Sequence, residues 1–514
     1  MRWALLASVL VVAAGLRFTA LHFGAPDFEA RPDETGIVLT LAAMDRGQFF
    51  PPMVLYGGGY FEPLHAFVHV WQALFWDGDT QAQMDAGRLD DVRVAVRAWS
   101  ALLALLTVAL VYAVGRRAAG ERAGLLAAAL LAVLPLAVRE AHFAKADTAA
   151  AAAGALVMTA LVLPRGAAWL RGMLAGATTA LAISTKALAS VVPAVLVAVL
   201  WPADAAERRT RWRTLAWAAG AGAVCLVALN GFALRHPQQT ATMAPFVLRT
   251  MRDSTWLPGG DRVVSPLVYH ATVSLRWGCG WAVTLLALPA MAYGLWRGGA
   301  LRIVALLALG HFLAVQASPM VLARYLLPAL PALCVLIAAL LVHAVDRFVA
   351  APRARAAVLA VVAVLLLAEP LAASVTLLRL LRRTDTRTLA GDWIAVHLPP
   401  TARIVSWGAP RGAADFGRPP PHGRPVDQRL SPAEWRAGET YVVWHRHPLP
   451  YSSDPLPDGA PPLRTLVIFD PFTDEHGAQP VFEPIDAFYL PIGRLDRVVR
   501  PGPRIEILAV EPRG

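Results

Sequence analysis

A succession of apolar windows constrains this sequence more than any other feature, because each could cross about 30 Å of hydrocarbon as a helix. Eleven windows can be placed, at 3–21, 98–115, 123–139, 146–163, 170–185, 187–201, 214–234, 277–296, 301–317, 325–345 and 356–378. A backbone in lipid must satisfy its own hydrogen bonds, which favours helices. The sequence therefore predicts a polytopic α-helical membrane protein with about 11 transmembrane helices.

The first window has a competing interpretation as a secretory signal peptide. Arg2 precedes an apolar stretch, as in the basic and apolar regions of such peptides. No convincing small-residue cleavage site stands before the next loop, so we interpret the window as a transmembrane helix.

The charge of the chain fits helix orientation better than nucleic-acid binding. Only 16% of the residues are charged and 57% are hydrophobic, whereas soluble proteins carry about 25% charged residues. The formal net charge of +11 comes from arginine, since Lys145 and Lys186 are the only lysines. Many arginines stand in short gaps between apolar windows, where they orient helices and do not track phosphates.

The placement of these arginines predicts the orientation of the chain in the membrane. Alternate gaps contain Arg116, Arg117, Arg122, Arg165, Arg171, Arg208, Arg209, Arg211, Arg213, Arg297, Arg302, Arg347, Arg353 and Arg355. Together with Arg2 they predict a cytoplasmic N-terminus, and eleven spans then leave the C-terminus outside. The preference for Arg over Lys and the abundance of Ala suggest a GC-rich bacterial genome, so we expect the bacterial inner (plasma) membrane.

Two domains are expected from this arrangement. Residues 1–378 form the transmembrane domain, including a first extracytoplasmic loop at 22–97 with short surface helices near Ile37–Met44 and Leu64–Phe75. Residues 379–514 form a small extracytoplasmic α/β domain. Its predicted elements are a helix near Leu389–His397 and strands at Ala402–Trp407, Thr440–Trp444, Leu463–Phe469 and Arg504–Val510. The segment 409–425 is rich in Pro and Gly and predicts a loop.

Ionisable residues gather at the predicted outer ends of four spans. They are Asp33 and Glu34 after the first window, the stretch from Arg139 to Asp147, Lys186, and Arg324 with Tyr325. Ionisable groups at the bilayer boundary are costly and are usually functional. The sequence therefore predicts that these segments converge on one cavity at the outer leaflet.

Each of these residues has a functional and a plainer interpretation. Asp33 or Glu34 could accept a proton from an acceptor hydroxyl, or the pair could be a solvated loop feature. The cations Arg139, Lys145, Lys186 and Arg324 could bind a phosphate leaving group, or extend to lipid headgroups. Asp147 could cap a helix, or could hold Arg139 or His142 in place.

The first outer loop contains a further polar group. Glu62, His65 and His69 are spaced three and four residues apart, which places them on one helical face. They are weak candidates for a metal site, and for the histidines the polar face of an interfacial helix is favoured. Glu62 is also a candidate second active-site carboxylate. Asp77-Gly78-Asp79 has the DxD form of nucleotide-sugar enzymes, but its position in the outer loop favours a turn.

Together these motifs resemble the family 39 glycosyltransferases of the GT-C fold, which include protein O-mannosyltransferases and bacterial aminoarabinose lipid A transferases. The matching elements are Asp33-Glu34; Arg139, His142, Phe143 and Asp147; Ser184-Thr185-Lys186; Ala323–Pro328; and tail motifs at 387–402, 484–491 and 500–503. Their order along the chain and their shared side of the membrane carry the resemblance.

The resemblance implies an inverting transfer of a sugar from a polyprenyl-phosphate carrier to an extracytoplasmic hydroxyl of a protein, lipid or glycan. Asp33 would be the general base, and Glu34 and Glu62 would position the acceptor or a cation. The residues implied in substrate binding are Arg139, His142, Asp147, Lys186, Arg324 and Tyr325. No cofactor is required by this chemistry, although it is compatible with a divalent metal. The alternatives are an envelope glycan polymerase or ligase, a lipid or sugar transporter, and a non-catalytic assembly factor.

Overall fold

Helices form most of the first 400 residues in this computed structural model. The structure describes residues 2–24, 32–48, 56–163, 167–186, 188–200, 205–238, 240–242, 245, 249, 253, 265–318, 320–408, 426–427, 431–448, 455–473, 479–483 and 489–512. The predicted loop 409–425 and residues 484–488 of the tail motif lie outside the described residues.

The α-helices near the N-terminus carry most of the candidate site residues. They are α1 (Arg2–Phe18), α2 (Pro32–Asp45), α3 (Gly58–Phe75), α4 (Thr80–Asp85), α5 (Leu89–Ala119), α6 (Glu121–Val133), α7 (Pro135–Ala141), α8 (Ala146–Val162) and α9 (Ala168–Lys186). Further α-helices are Val192–Leu200, Ala205–Leu229, Gly231–Arg235, Pro266–Tyr269, Arg276–Cys279, Trp281–Arg297, Gly299–Gln316, Leu330–Phe348, Pro352–Leu381 and Thr386–His397. Segments of 3₁₀-helix lie at Ala189–Val191, Ala323–Ala329, Pro432–Glu434 and Leu495–Arg497, and a π-helical segment at His270–Leu275.

Each predicted apolar window contains helical structure. Among the described residues, 5 helices are long and apolar enough to cross a membrane, or 6 if α6 and α7 form one bent span. Besides α5 these are Thr210–Leu229, Gly299–Gln316, Ala323–Phe348 and Pro352–His397, while α8 is apolar but shorter. The structure thus agrees with a multi-pass helical membrane protein, and eleven spans stay a prediction.

A proline separates α6 from α7 and redirects the chain towards the candidate site. The two helices are bent by 60°, and Leu134 between them has an extended backbone with ψ near 123°. A residue before proline avoids the helical conformation, and Pro135 has no N–H to continue the helical hydrogen bonds. The short helix α7, with Arg139 near its end, therefore leaves the axis of α6.

The helices α2 and α3 of the first outer loop are packed against the protein by their apolar faces. Ile37 and Leu41 of α2 and Leu64 of α3 are completely buried in one apolar cluster. These apolar faces are therefore occupied by the protein itself, while Leu74 and Phe75 at the end of α3 remain exposed. The position of both helices on the membrane surface stays a prediction.

The C-terminal part of the chain contains a mixed five-stranded sheet with the order β2-β1-β3-β5-β4. Its strands are β1 (Arg403–Gly408), β2 (Val426–Asp427), β3 (Thr440–Arg446), β4 (Leu463–Phe469) and β5 (Arg504–Val510). β1 runs parallel to β2 and β3, and β5 runs antiparallel to β3 and β4. The helix Thr386–His397 packs Ile394 against Ile404, Val443 and Ile505. The four strands and the helix predicted here are all present.

Candidate active site

Charged side chains from distant parts of the chain meet at one place in the structure. They come from the start of α2 (Asp33), the start of α8 (Asp147), the end of α9 (Lys186), the 3₁₀ segment (Arg324) and the C-terminal tail (Glu483). The convergence that the sequence predicts for the first four segments is therefore seen in the geometry.

Asp147 holds two cations of this cluster together. Its carboxylate is almost fully buried, forms a salt bridge with Lys186, and lies 3.7 Å from Nε of Arg324. Lys145 and not Asp147 occupies the N-cap position of α8. Neither predicted role of Asp147, as helix cap or as partner of Arg139 or His142, matches this geometry. Asp147 instead counters the charge of Lys186 and Arg324.

Arg324 connects three carboxylates. Its guanidinium nitrogens lie 3.6 Å from Asp33 Oδ2, 3.7 Å from Asp147 Oδ2 and 3.7 Å from Glu483 Oε2. These distances exceed those of hydrogen bonds, and within the described part of the chain its buried Nε has no hydrogen-bond partner. The guanidinium is therefore positioned by electrostatic attraction to the three carboxylates. Its N–H groups are available to donate hydrogen bonds to a ligand.

Lys186 lies between two tyrosine rings. Its Nζ is 5.1 Å from the centre of the Tyr325 ring and 5.7 Å from that of Tyr56, which are cation–π distances. The Tyr325 hydroxyl donates to Met320 Sδ at 3.1 Å. The side chain of Lys186 is 21% exposed and that of Arg324 14%. These two cations are thus open to a ligand.

The adjacent acids Asp33 and Glu34 have opposite environments. The Asp33 side chain is 29% exposed, whereas Glu34 is completely buried. Both oxygens of Glu34 accept hydrogen bonds from Arg97, at 3.0 and 2.6 Å, and Oε1 accepts a third from the backbone N–H of Ala144 at 2.9 Å. Arg93 Nε adds a fourth contact at 3.9 Å. Glu34 therefore ties α2 to α5 and to the loop before α8, and Asp33 alone of the pair reaches the surface.

Arg139 and Lys145 lie deeper than Lys186 and Arg324. Arg139 donates to Glu140 Oε1 at 2.5 Å and lies 3.6 Å from Glu483 Oε2. Lys145 lies 3.5 Å from Glu140 Oε2. Both cations are at most 3% exposed. They therefore contribute charge to the cluster from the protein interior. Arg139 is predicted to bind substrate, but in this conformation its side chain is too buried to contact a substrate directly.

His142 connects backbone segments. Its Nδ1 lies 2.7 Å from the carbonyl oxygen of Val138, and its Nε2 lies 2.8 Å from that of Thr19 beyond the end of α1. The ring is completely buried. Both nitrogens are engaged with carbonyl groups, and this geometry suits a brace between α1 and α7 better than contact with substrate.

Glu483 is a member of the site that sequence analysis did not identify. Its Oε1 accepts a hydrogen bond from the backbone N–H of Ala323 at 2.7 Å. Burial alone would raise the pKa of this carboxyl, but the charges of Arg139, Arg324 and Lys145 outweigh burial and hold the pKa below its usual value. Glu483 immediately precedes the tail motif at 484–491 but is not part of it, and it lies 160 residues after Ala323.

The polar group predicted in the first outer loop is only partly brought together. His65 and His69 share a face of α3, and both approach Asp45 at the end of α2. Glu62 is exposed and is absent from the metal-ligand group found among the described residues. Asp79 accepts from the backbone N–H of Ala82 at 2.8 Å as the N-cap of α4, in agreement with a structural role for the DxD stretch.

The arrangement combines two chemical capacities. Two partly exposed cations, Lys186 and Arg324, can bind an anion by charge-assisted hydrogen bonds. A partly exposed carboxylate, Asp33, lies next to Arg324 at 3.6 Å and can accept a proton from a hydroxyl group. A site of this kind suits the transfer of a group from an anionic leaving group to a hydroxyl.

The sequence model of the dolichyl-phosphate-mannose-protein mannosyltransferase family matches residues 77–238, which is less than half of the chain. No curated protein matches the sequence. Similar solved structures include ArnT from Cupriavidus metallidurans bound to undecaprenyl phosphate, with 18% identity and a TM-score of 0.53, covering 86% of this chain and 92% of that chain. The archaeal oligosaccharyltransferase AglB from Archaeoglobus fulgidus, in complex with an inhibitory peptide and a dolichol-phosphate, has 13% identity and a TM-score of 0.50, covering 80% and 62%.

The matched regions include motifs on which the resemblance was based. The family match includes Arg139, His142, Asp147 and Lys186, and the structural likeness extends over most of the chain. The chain therefore has the GT-C fold of these glycosyltransferases, and the resemblance that its motifs indicate is confirmed.

Proposed function

We propose that this protein transfers a sugar from a polyprenyl-phosphate-linked donor to a hydroxyl acceptor on the outer face of the membrane, with Asp33 as general base. One observation carries the proposal. The partly exposed carboxylate of Asp33 lies 3.6 Å from Arg324, and Asp147, a second carboxylate near Arg324, also binds Lys186. A proton acceptor and a pair of anion-binding groups thus lie side by side.

In this proposal the donor phosphate binds to Lys186 and Arg324. Negative charge develops on the phosphate as the sugar leaves, and fixed cations in a water-poor site stabilise such charge strongly. Asp147 places both cations, while Tyr325 and Tyr56 flank the ammonium group of Lys186. The similar structure of ArnT is bound to undecaprenyl phosphate and that of AglB to a dolichol-phosphate, which supports a donor of this lipid class.

The acceptor hydroxyl belongs with Asp33. In a single displacement the hydroxyl oxygen bonds to the anomeric carbon while its proton passes to Asp33. The bond from that carbon to the phosphate oxygen breaks, its electron pair stays with the phosphate, and the configuration inverts. Arg324 contacts Asp33 and so orients the carboxylate. Glu34 holds α2 in place, and the exposed Glu62 is available to an acceptor on the same side.

The orientation of the chain follows from this assignment. Donor and acceptor meet on the side that carries the loop 22–97 and the tail 379–514, so we place the N-terminus in the cytoplasm and the C-terminus outside. We place the protein in the bacterial inner membrane, with a protein, a lipid or an envelope glycan as acceptor.

A transfer assay with purified protein tests the proposal. Wild type, Asp33→Asn and Asp77→Asn are incubated with a panel of polyprenyl-phosphate sugars and acceptors, and products are followed by mass spectrometry. Asp33→Asn should lower the turnover by about 10²–10⁴-fold, the usual contribution of a general base. Asp77 is an exposed acid of the same outer loop, and Asp77→Asn should match wild type. Equal turnover by Asp33→Asn would remove Asp33 as the base, and inactivity of wild type with every donor would contradict the transferase.

A further inference from the structure

We propose that Asp45, His65 and His69, in the first outer loop, form a binding site for one divalent transition-metal ion. The preferred ion is Zn²⁺. One ligand atom from each residue lies within 4.8 Å of the other two. The histidines are four residues apart on α3 and therefore share a face, and their ring centres are 4.2 Å apart. The carboxylate comes from the last residue of α2.

The carboxylate of Asp45 is oriented by groups outside the three ligands. Its Oδ2 accepts hydrogen bonds from the side-chain amide of Gln72 at 3.2 Å and from the backbone N–H of Thr80 at 2.9 Å. Its Oδ1 is approached by Nε2 of both histidines. Outer hydrogen bonds of this kind fix ligand orientation in metal sites, so one oxygen is anchored and the other is directed to the histidine pair.

A hydrogen bond explains the position of one histidine only. His65 Nε2 lies 2.8 Å from Asp45 Oδ1, a normal hydrogen-bond distance, while His69 Nε2 lies 3.9 Å from the same oxygen. Both Nε2 atoms nevertheless approach one carboxylate oxygen. A shared ion accounts for the approach of both rings, whereas the hydrogen bond from His65 leaves the approach of His69 unexplained.

The donor set selects the class of ion. Two imidazole nitrogens and one carboxylate oxygen suit Zn²⁺, while Ca²⁺ and Mg²⁺ prefer sites made of oxygen ligands. The His69 side chain is 54% exposed, and Asp45 is 2% exposed. The site is therefore anchored on one side and open to solvent on the other, where water can complete a tetrahedral coordination.

The ion would join elements that carry the candidate active site without entering its chemistry. Asp33 and Asp45 lie at opposite ends of α2, about 18 Å apart at 1.5 Å per helical residue. An ion at Asp45 would link the end of α2 to α3, and Thr80 extends the link to α4. The proposal is thus independent of the transfer reaction and has its own readouts.

Metal content and thermal unfolding of the full-length protein test the site. Protein in detergent is stripped with a chelator, reloaded with Zn²⁺ and measured by elemental analysis, calorimetry and differential scanning fluorimetry. Wild type should hold about one Zn²⁺ per chain and unfold at a higher temperature when loaded, because an ion that binds only the folded state stabilises it. Failure of wild type to bind Zn²⁺ would overturn the proposal.

A graded series of variants locates the ion. His69→Ala changes an exposed side chain and should fold; we expect it to raise the Kd for Zn²⁺ by at least about a hundredfold. Gln72→Ala removes an outer partner and should raise the Kd by about 10–100-fold, the usual effect of such partners. Unchanged affinity in His69→Ala would overturn the assignment.

Two control variants should bind Zn²⁺ as wild type does. His22→Ala removes a histidine that lies 3.2 Å from Asp90. His22 does not belong to the group of three possible metal ligands identified among the described residues. Glu62→Gln removes the acid nearest to the histidines in sequence. Loss of the ion in Glu62→Gln would place the site on that residue and would contradict the set proposed here.

Discussion

At the scale of single residues, the acids Asp33 and Glu34 show how much the surroundings decide. Glu34 is completely buried and accepts two hydrogen bonds from Arg97, whereas Asp33 is partly exposed. Two adjacent carboxylates in a sequence carry no sign of this difference. The acidic pair could be predicted as functional, but its division into a reactive and a structural member needs the position of α5.

Glu34→Gln should destabilise the protein where Asp33→Asn does not. The amide leaves the buried guanidinium of Arg97 without a countercharge, and loss of one partner of a buried ion pair costs about 3–5 kcal/mol. Thermal unfolding in detergent should show a clearly lower midpoint for Glu34→Gln and a midpoint near that of wild type for Asp33→Asn. Equal midpoints for the two variants would contradict the structural role of Glu34.

Lys186→Ala should weaken binding of a polyprenyl phosphate. A hydrogen bond to a charged group contributes about 1.5–3 kcal/mol, so the Kd should rise by about tenfold to a hundredfold in calorimetry. Lys186→Arg keeps the charge beside Asp147 and should recover part of the affinity. Arg464→Ala, an exposed cation of β4, serves as the control and should bind as wild type does. Wild-type affinity in Lys186→Ala would exclude this residue from the phosphate site.

At the scale of helices, the close approach of α3 to α9 depends on glycine. A Cβ on Gly59 would lie 2.8 Å from the carbonyl carbon of Ser184 and 2.9 Å from the carbonyl oxygen of Leu181. These are backbone atoms, which cannot move aside as a flexible side chain can. The first turn of α3 therefore lies against the end of α9, where Lys186 and the ring of Tyr56 meet.

Gly59→Ala should disturb both stability and transfer. Overpacking typically costs about 1–3 kcal/mol, and separation of α3 from α9 would move Lys186 relative to Asp147. A lower unfolding midpoint with reduced turnover is expected. Gly15→Ala is the matched control because a Cβ at this helical glycine meets nothing within 4 Å, so its stability should be equal or slightly higher. A wild-type-like Gly59→Ala would show that the contact is not needed.

The helices themselves were largely predictable and their directions were not. Long apolar windows identify helices because the membrane requires them. The short apolar runs within 463–469 and 504–510, with their β-branched residues, indicate strands β4 and β5. The bend between α6 and α7 has a local signal in Pro135, yet its angle of 60° depends on packing. The burial of Ile37 on α2 depends on α3 and could not be read from either stretch alone.

At the scale of the whole molecule, the site joins residues that are far apart in sequence. Sorting charges by side of the membrane predicted that Asp33, Asp147, Lys186 and Arg324 would meet, because spans that end on one side bring their ends together. Glu483 was missed because it lies one residue before the tail motif at 484–491, and the sequence does not show that the tail contacts Arg324. The tail reaches the membrane-spanning part also through the carbonyl of Leu490, which accepts from Arg139 at 3.4 Å.

Glu483→Gln should therefore impair transfer although this residue follows the predicted last span by about a hundred residues. Glu483 accepts the N–H of Ala323 and lies 3.7 Å from Arg324, so loss of its charge should shift the guanidinium and lower kcat by about tenfold or more, an effect of about 1.4 kcal/mol. A purely structural tail would lower the unfolding midpoint and leave kcat per folded molecule unchanged. Glu511→Gln removes an exposed acid of the same tail and should match wild type in both measurements. A wild-type kcat in Glu483→Gln would contradict a role of the tail in catalysis. Arg324 would then be positioned only by residues of the membrane-spanning part.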